Sequence, residues 1–212
     1  MTEALCSWGR QRGVFLHNSI ELRNDGVFAR NDIPAEETLI FVPWSVCMDP
    51  VGFTTASVDA NTPLCAFLLD ERDKGPTSDW FPYIAVLPET FSTAMSLPKA
   101  EINYLRGTNL YHEIERRTAM WEQEAKGLDR YSFDYAWAAQ VVSSRSFPSS
   151  LRHTAGASPI LIPFADAFNH RPLTKIEWSC TDRGFSMKII EALSVGSEIY
   201  NNYGPKTNEE RM

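Results

Sequence analysis

The hydrophobic period changes twice along this chain, from alternation to helical spacing and back. That order restricts the fold more than any other feature of the sequence. Residues 13–48 alternate apolar and polar and break at Gly and Pro, so Val27-Phe28 and Leu39 to Val42 read as short strands between turns. The last fifty residues return to this texture. Ile176 and Trp178 alternate with Lys175 and Glu177, and beyond the Asp182-Arg183-Gly184 turn Phe185, Met187 and Ile189 alternate with Ser186 and Lys188. This is the pattern of a half-buried hairpin. Between the two, Thr62-Pro63 supplies a cap and first turn for LCAFLLDERDK, with Gly75 at C′. Leu110, Ile114, Trp121 and Ala125 share one face of a charged helix that stops at Gly127. Ser132 is placed to cap a third helix, with Phe133, Trp137 and Val141 at i, i+4, i+8. The expected fold is therefore α+β: a β-rich domain whose halves, roughly 13–58 and 159–204, enclose a helical insertion.

Composition narrows the function classes. At 43% hydrophobic and 12% aromatic, the 212 residues can build a packed core. A formal net charge of −7 argues against sequence-independent nucleic-acid binding and suits a basic partner. Cys6, Cys47, Cys65 and Cys180 are scattered with no C-x-x-C pair, which argues for reduced thiols and against a structural zinc. The start, MTEALCSWGRQRG, is too polar for a signal peptide, and no apolar run approaches membrane-spanning length. The expectation is a cytoplasmic or nuclear globular protein that binds neither nucleic acid nor membrane.

Chemistry-bearing residues concentrate late in the chain. The run SPILIPFADAFNHR places Asp166 three residues before Asn169-His170, and Ser144-Arg145-Ser146-Phe147 precedes it. The segment SEIYNNYGP then brings Tyr203 to the tip of a strand-like run, before a Gly204-Pro205 turn. With GVFARNDIPAEETLIFVP, LLDERDKGPTSDWFPYIAVLP, SRSF, DAFNH and EIYNNYGPKTNEE in this order, residues 13–210 resemble SET-domain protein methyltransferases of the Rubisco large-subunit lysine methyltransferase-like class. These are non-histone SET proteins with a helical insertion. The resemblance implies a SET domain over 13–204, split as 13–58 and 139–204 around an insertion at 59–138. It also implies a shortened tail at 205–212, without the family's C-terminal substrate-binding domain.

What the resemblance implies for the site is specific. The cofactor is S-adenosylmethionine. Arg145 matches the arginine that meets its carboxylate, a contact for which a guanidinium is well shaped. Asn169 and His170 match the pair that holds the amino group and adenine, and the backbone around Asn24, Asp25 and Gly26 matches the first cofactor loop. Tyr203 matches the active-site tyrosine, able to orient the attacking nitrogen. The partner is a protein substrate with a basic site, and no metal is implied. Family members usually carry a second glycine in that first loop, where Asn24-Asp25-Gly26 keeps one. They also continue past the N-x-E segment with residues that close the lysine channel, which a second chain could supply here.

Each residue also has an ordinary structural reading. Arg145 alone would be a solvated charge, Asn169-His170 a turn, Asp166 a loop cap, Tyr203-Gly204 a strand-to-turn dipeptide and Tyr200 packing. Trp80, Phe81 and Tyr83 suit core packing of the insertion better than a substrate cleft, and Met187 reads as core. Two functions stay open: a protein N-methyltransferase with lysine as the first expectation and histidine not separated from it, or a SET-like scaffold that keeps the cofactor pocket and serves as a binding module or acts on a small molecule.

Overall fold

The alternating segments at the two ends of the sequence pair with each other in a computed structural model, which describes residues 3–51, 59–152 and 158–203. The elements before the long helices are α1 (Glu3–Gln11), β1 (Phe15–Leu16), β2 (Ile20–Arg23), β3 (Gly26–Ala29) and β4 (Thr38–Pro43). The helical stretch is α2 (Thr62–Asp73), α3 (Phe81–Ile84), α4 (Lys99–Ile102), α5 (Asn109–Gly127) and α6 (Ser132–Arg145). The chain returns to strand with β5 (Ser146–Phe147), β6 (Ile160–Leu161), β7 (Ile176–Cys180) and β8 (Gly184–Ile189). The main sheet is antiparallel with order β1-β4-β8-β7, accompanied by the small pairs β2-β3 and β5-β6.

Register follows burial. Ile40 faces Met187 and Val42 faces Phe185 across β4 and β8, and all four are fully buried. A one-residue slip would turn Ser186 and Lys188 inward, so the apolar set fixes the pairing. Phe147, Trp178 and Phe185 pack as an aromatic cluster with centroids 5.3–5.8 Å apart, joining the β5-β6 pair to the main sheet. The run after β8 is not one continuous ladder. Gly196 and Ile199 donate to Ala29 and Val27 of β3, and Asn201 then donates to the Asn169 carbonyl at 2.7 Å. One segment thus crosses from the first β half to the second.

In the insertion, α2 buries Leu64, Cys65, Leu68 and Leu69, and α6 buries Tyr135, Ala138, Ala139, Val141 and Val142 where the two pack. Ile114, Trp121 and Ala125 of α5 are buried, as their spacing predicts. Gly75 takes φ +53 just beyond α2, the left-handed end that a glycine permits. Several details differ from expectation. Ser132 and Thr62 are first helical residues, after Tyr131 and Asn61, and neither caps. The Thr62 hydroxyl instead bonds the Tyr135 hydroxyl at 3.0 Å and donates to Glu124 at 3.2 Å, tying three helices. Phe133 leaves the apolar stripe; it is 73% exposed on the rim of a groove that also holds Phe81 and Trp137. Helix α6 runs unbroken across the expected 138/139 boundary, and α1 lies ahead of the expected first β half. The expected tail at 205–212 and the Gly204-Pro205 turn lie outside the described residues. No helix among the described residues is long and apolar enough to cross a membrane.

Two glycines give a contrasting test of this packing. A Cβ on Gly184 would lie 2.4 Å from the Val42 carbonyl and 2.9 Å from Pro43 Cα, backbone that cannot yield cheaply. Gly184→Ala should therefore destabilise by about 1–3 kcal/mol. Gly127, at the end of α5, has open space around it. Gly127→Ala should instead stabilise by roughly 0.5–1 kcal/mol. Urea unfolding midpoints of the two variants check both signs.

Candidate functional site

Two cavities meet at a shared wall formed by Arg145 and Asp166. The first, about 450 Å³, lies between the Asn24-Asp25-Gly26 turn, Asn169, and an apolar side that includes Leu5, Tyr83, Leu87 and Phe164. The second, about 290 Å³, is bounded by Ser144, Phe147, Pro148, Trp178 and Tyr203.

The wall is an ion pair between a half-buried guanidinium and a buried carboxylate. Arg145 ends α6, and its Nη1 donates to the Asp166 carboxylate at 3.2 Å and to the Asp166 carbonyl at 3.3 Å. The Tyr83 hydroxyl donates to the same carboxylate oxygen, Oδ2, at 2.9 Å. Burial pushes the Asp166 carboxyl above its usual range despite the opposing pull of Arg145 and Tyr83. Burial works against the Arg145 charge, but Asp166 and its neighbours outweigh it and hold the guanidinium above its ordinary value. Burial, with the Asp166 charge, also raises the Tyr83 phenol, which stays neutral and remains a donor.

Asp166 reaches this position through a strained turn. Phe164, just before the short Ala165–Ala167 turn, adopts φ 72, a conformation that bulky residues rarely take. Its ring stacks on Trp8 of α1, with centroids 6.3 Å apart, and presses on Gly9. A Cβ at Gly9 would lie 2.4 Å from that ring. Helix α1 thus backs the first cavity directly.

Asn169 ties the cavity's other side. Its Nδ2 donates to the Asp25 carbonyl at 2.6 Å and to Glu198 Oε1 at 2.7 Å. The other Glu198 oxygen accepts from the Tyr200 hydroxyl, over whose ring Arg171 lies at 4.4 Å. Gly26 fits beneath this clamp at φ +152, and a Cβ there would lie 2.9 Å from both Asn169 Nδ2 and Glu198 Oε1. The single glycine of the first loop is thus required by the clamp.

Tyr203 is held at the second cavity from two directions. Its backbone N–H donates to His170 Nδ1 at 3.0 Å, and the two rings stack with centroids 5.0 Å apart. Its hydroxyl donates to the Phe168 carbonyl at 2.6 Å. Burial pushes this phenol up to about 12.

Of the residues expected to hold cofactor, Asn24, Asp25, Gly26, Arg145 and Asn169 share the first cavity, while His170 lies outside both linings behind Tyr203. Asp166 is no loop cap, and Tyr83 is buried at the site rather than inert packing. Tyr83, Asp166 and Glu198 form the part that sequence reasoning did not assign. Asp166 carried a signal, as a lone carboxylate in the apolar run ILIPFADAF, whereas Tyr83 and Glu198 carried none. Arg145 Nε and Nη2 make no hydrogen bond among the described residues, so a guanidinium edge remains for an anion beside the first cavity. That donor set, with backbone at 24–26 and an apolar side, fits an amino acid joined to a nucleoside. Among the described residues no cluster of three or more His, Cys, Asp or Glu could hold a metal.

No protein-family model matches the sequence. Ribosomal lysine N-methyltransferase set10 of Schizosaccharomyces pombe is 33% identical over 99% of this chain, which covers 44% of that protein. The chloroplastic [fructose-bisphosphate aldolase]-lysine N-methyltransferase of Arabidopsis thaliana is 27% identical over 96% of the chain, which covers 49% of it. Actin-histidine N-methyltransferase of Gallus gallus is 25% identical over 97%, with 40% of its own length covered. The chain thus spans less than half the length of these relatives. Among solved structures, Rubisco LSMT bound to AdoMet superposes with a TM-score of 0.79 at 21% identity, covering 99% of this chain and 55% of that one. The SET domain of LSMT bound to lysine and AdoHcy gives 0.79 at 19% identity, covering 98% and 55%. The shared fold is α+β, with several small antiparallel sheets.

The clamp can be tested without any ligand. Gly26→Ala adds a Cβ against Asn169 and Glu198 at a positive φ, so it should cost about 1–3 kcal/mol in chemical unfolding. In an Asn169→Ala background the same substitution should cost less, because one of the two groups it meets is gone.

Proposed function

We propose that this chain, which belongs to the Rubisco large-subunit lysine methyltransferase-like class of SET-domain proteins, transfers a methyl group from S-adenosylmethionine to a protein nitrogen, with lysine as the first acceptor. The observation that carries this reading is the pair of cavities that share, among the described residues, Arg145 and Asp166. Displacement at a methyl carbon needs donor and acceptor on opposite sides of it, and two adjoining chambers, one for each reactant, suit that demand.

The residues divide the work accordingly. Arg145 would take the donor's carboxylate, the 24–26 backbone and Asn169 its polar groups, and Leu5, Leu87 and Phe164 its apolar faces. When bound, S-adenosylmethionine supplies the methyl and keeps the electrons of the broken S–C bond on sulfur as a thioether. In the second cavity, Phe147, Pro148 and Trp178 exclude water from the acceptor's stem. A desolvated amine is pushed toward its neutral, nucleophilic form. Tyr203, fixed by Phe168 and His170, orients that nitrogen. Its placement at the acceptor cavity favours transfer over a binding scaffold. The acidic chain and the set10 name both point to basic ribosomal proteins as the first substrates to test. We place the protein in the cytoplasm or nucleus, where free thiols at Cys6, Cys47, Cys65 and Cys180 persist.

Two kinetic outcomes follow. Tyr203→Phe should lower the rate of methyl transfer to a ribosomal-protein fraction by roughly 10²–10³, while calorimetric affinity for S-adenosylmethionine changes little. Equal losses in both would return Tyr203 to a structural role. The pH profile identifies the acceptor. The Tyr203 phenol, at about 12, stays neutral across the assay range. A lysine of pKa about 10.4 loses its proton as pH rises, so kcat/KM should climb close to tenfold per unit between roughly pH 7 and 9. A histidine acceptor, near 6.5, would give a plateau above about pH 7.5.

A further inference from the structure

We propose that Tyr83, carried by the helical insertion, is a positioning residue that aims Arg145 at the carboxylate of the bound methyl donor through Asp166. This rests on the first cavity being the S-adenosylmethionine site.

The geometry is a relay through one oxygen. Asp166 Oδ2 accepts from the Tyr83 hydroxyl at 2.9 Å and from Arg145 Nη1 at 3.2 Å. The Asp166 side chain is 3% exposed, so no solvent competes for that oxygen. Arg145 is a long side chain at the last residue of α6, and these contacts hold it at Nη1 alone. The guanidinium plane is thereby set, with Nε and Nη2 left for a two-pronged contact to a ligand carboxylate.

Tyr83 does more than fill space beside this pair. A carboxylate bound to an arginine competes with any second carboxylate for the same cation. By donating into Oδ2, the phenol draws charge away from Asp166 and leaves more of the Arg145 field for an incoming anion. The segment that leads into α3 is held by two hydrogen bonds. Trp80 Nε1 donates to the Val46 carbonyl at 2.9 Å, and Trp8 Nε1 donates to the Asp79 carbonyl at 2.9 Å. The N-terminal end of α3 is thus tied both to β-domain backbone and to α1, and the hydroxyl arrives where Asp166 needs it. The insertion supplies the outermost member of the donor-binding relay.

The test is ligand discrimination at equilibrium. S-adenosylhomocysteine carries the amino-acid carboxylate; 5′-methylthioadenosine keeps the nucleoside and sulfur but lacks it. Titration calorimetry on the 212-residue chain should show Tyr83→Phe weakening S-adenosylhomocysteine about tenfold, while methylthioadenosine changes less than about twofold. In an Arg145→Ala background the Tyr83→Phe effect on S-adenosylhomocysteine should disappear, since the residue it acts through is gone. Retained methylthioadenosine binding shows that the variant is folded. Equal weakening of both ligands, no weakening of either, or an effect that survives Arg145→Ala overturns the inference. A wild-type chain that binds neither ligand overturns the function proposed above and this inference with it. Wild-type binding with an unchanged Tyr83→Phe overturns this inference alone.

Discussion

A carboxylate removed from water must be answered by the protein around it, and at Asp166 the answer comes from three distant parts of the chain. Its own turn follows β6, its cation ends α6 and its phenol stands on α3. Leaving such a charge unpartnered would cost several kcal/mol, so these segments are held to one another by the requirement to satisfy one oxygen. The two cavities exist because that knot stands between them. The same demand explains why Phe164 accepts an unfavourable backbone conformation: its angle turns Asp166 inward while its ring is held by Trp8.

A second tie works by neutral and charged hydrogen bonds in the opposite corner. Asn169 reaches both the first β half, at the Asp25 carbonyl, and the final segment, at Glu198. That final segment has already bonded to β3 before it passes Asn169 and delivers Tyr203. Residues of the first and second cavities are therefore set by one continuous run of backbone. A shift of β3 would be felt at Tyr203 through a few hydrogen bonds, with no flexible loop between.

What the sequence disclosed and what it withheld divide along the range of the interactions. The β7-β8 hairpin, β4 and the α5 face were legible because alternation or helical spacing is imposed locally by one buried side, as at Met187 and Trp121. The residues around Arg145, Asn169 and Tyr203 were legible through motif resemblance. Tyr83 and Glu198 were not, because their partners lie 83 and 29 residues away and nothing in their neighbours marks a pairing. Helix capping failed for a related reason. Thr62 has the right side chain for a cap, but a tertiary hydrogen bond to Tyr135 claims its hydroxyl. Phe133 matches its stripe in period, yet the groove beside it leaves the ring exposed. Helix α1 escaped notice because only Leu5, Trp8 and Gly9 of its nine residues are buried.

That short helix has a practical meaning. Leu5 forms part of the first cavity's lining, and Gly9 is flat against the ring that braces the Asp166 turn. Helix α1 thus closes one side of the first cavity through Leu5. Removing α1 would open an apolar wall of that cavity and take away the Trp8 support of the Phe164 ring. Packing at Trp8 and Gly9 is therefore coupled to the shape of the space that any ligand of the first cavity would fill.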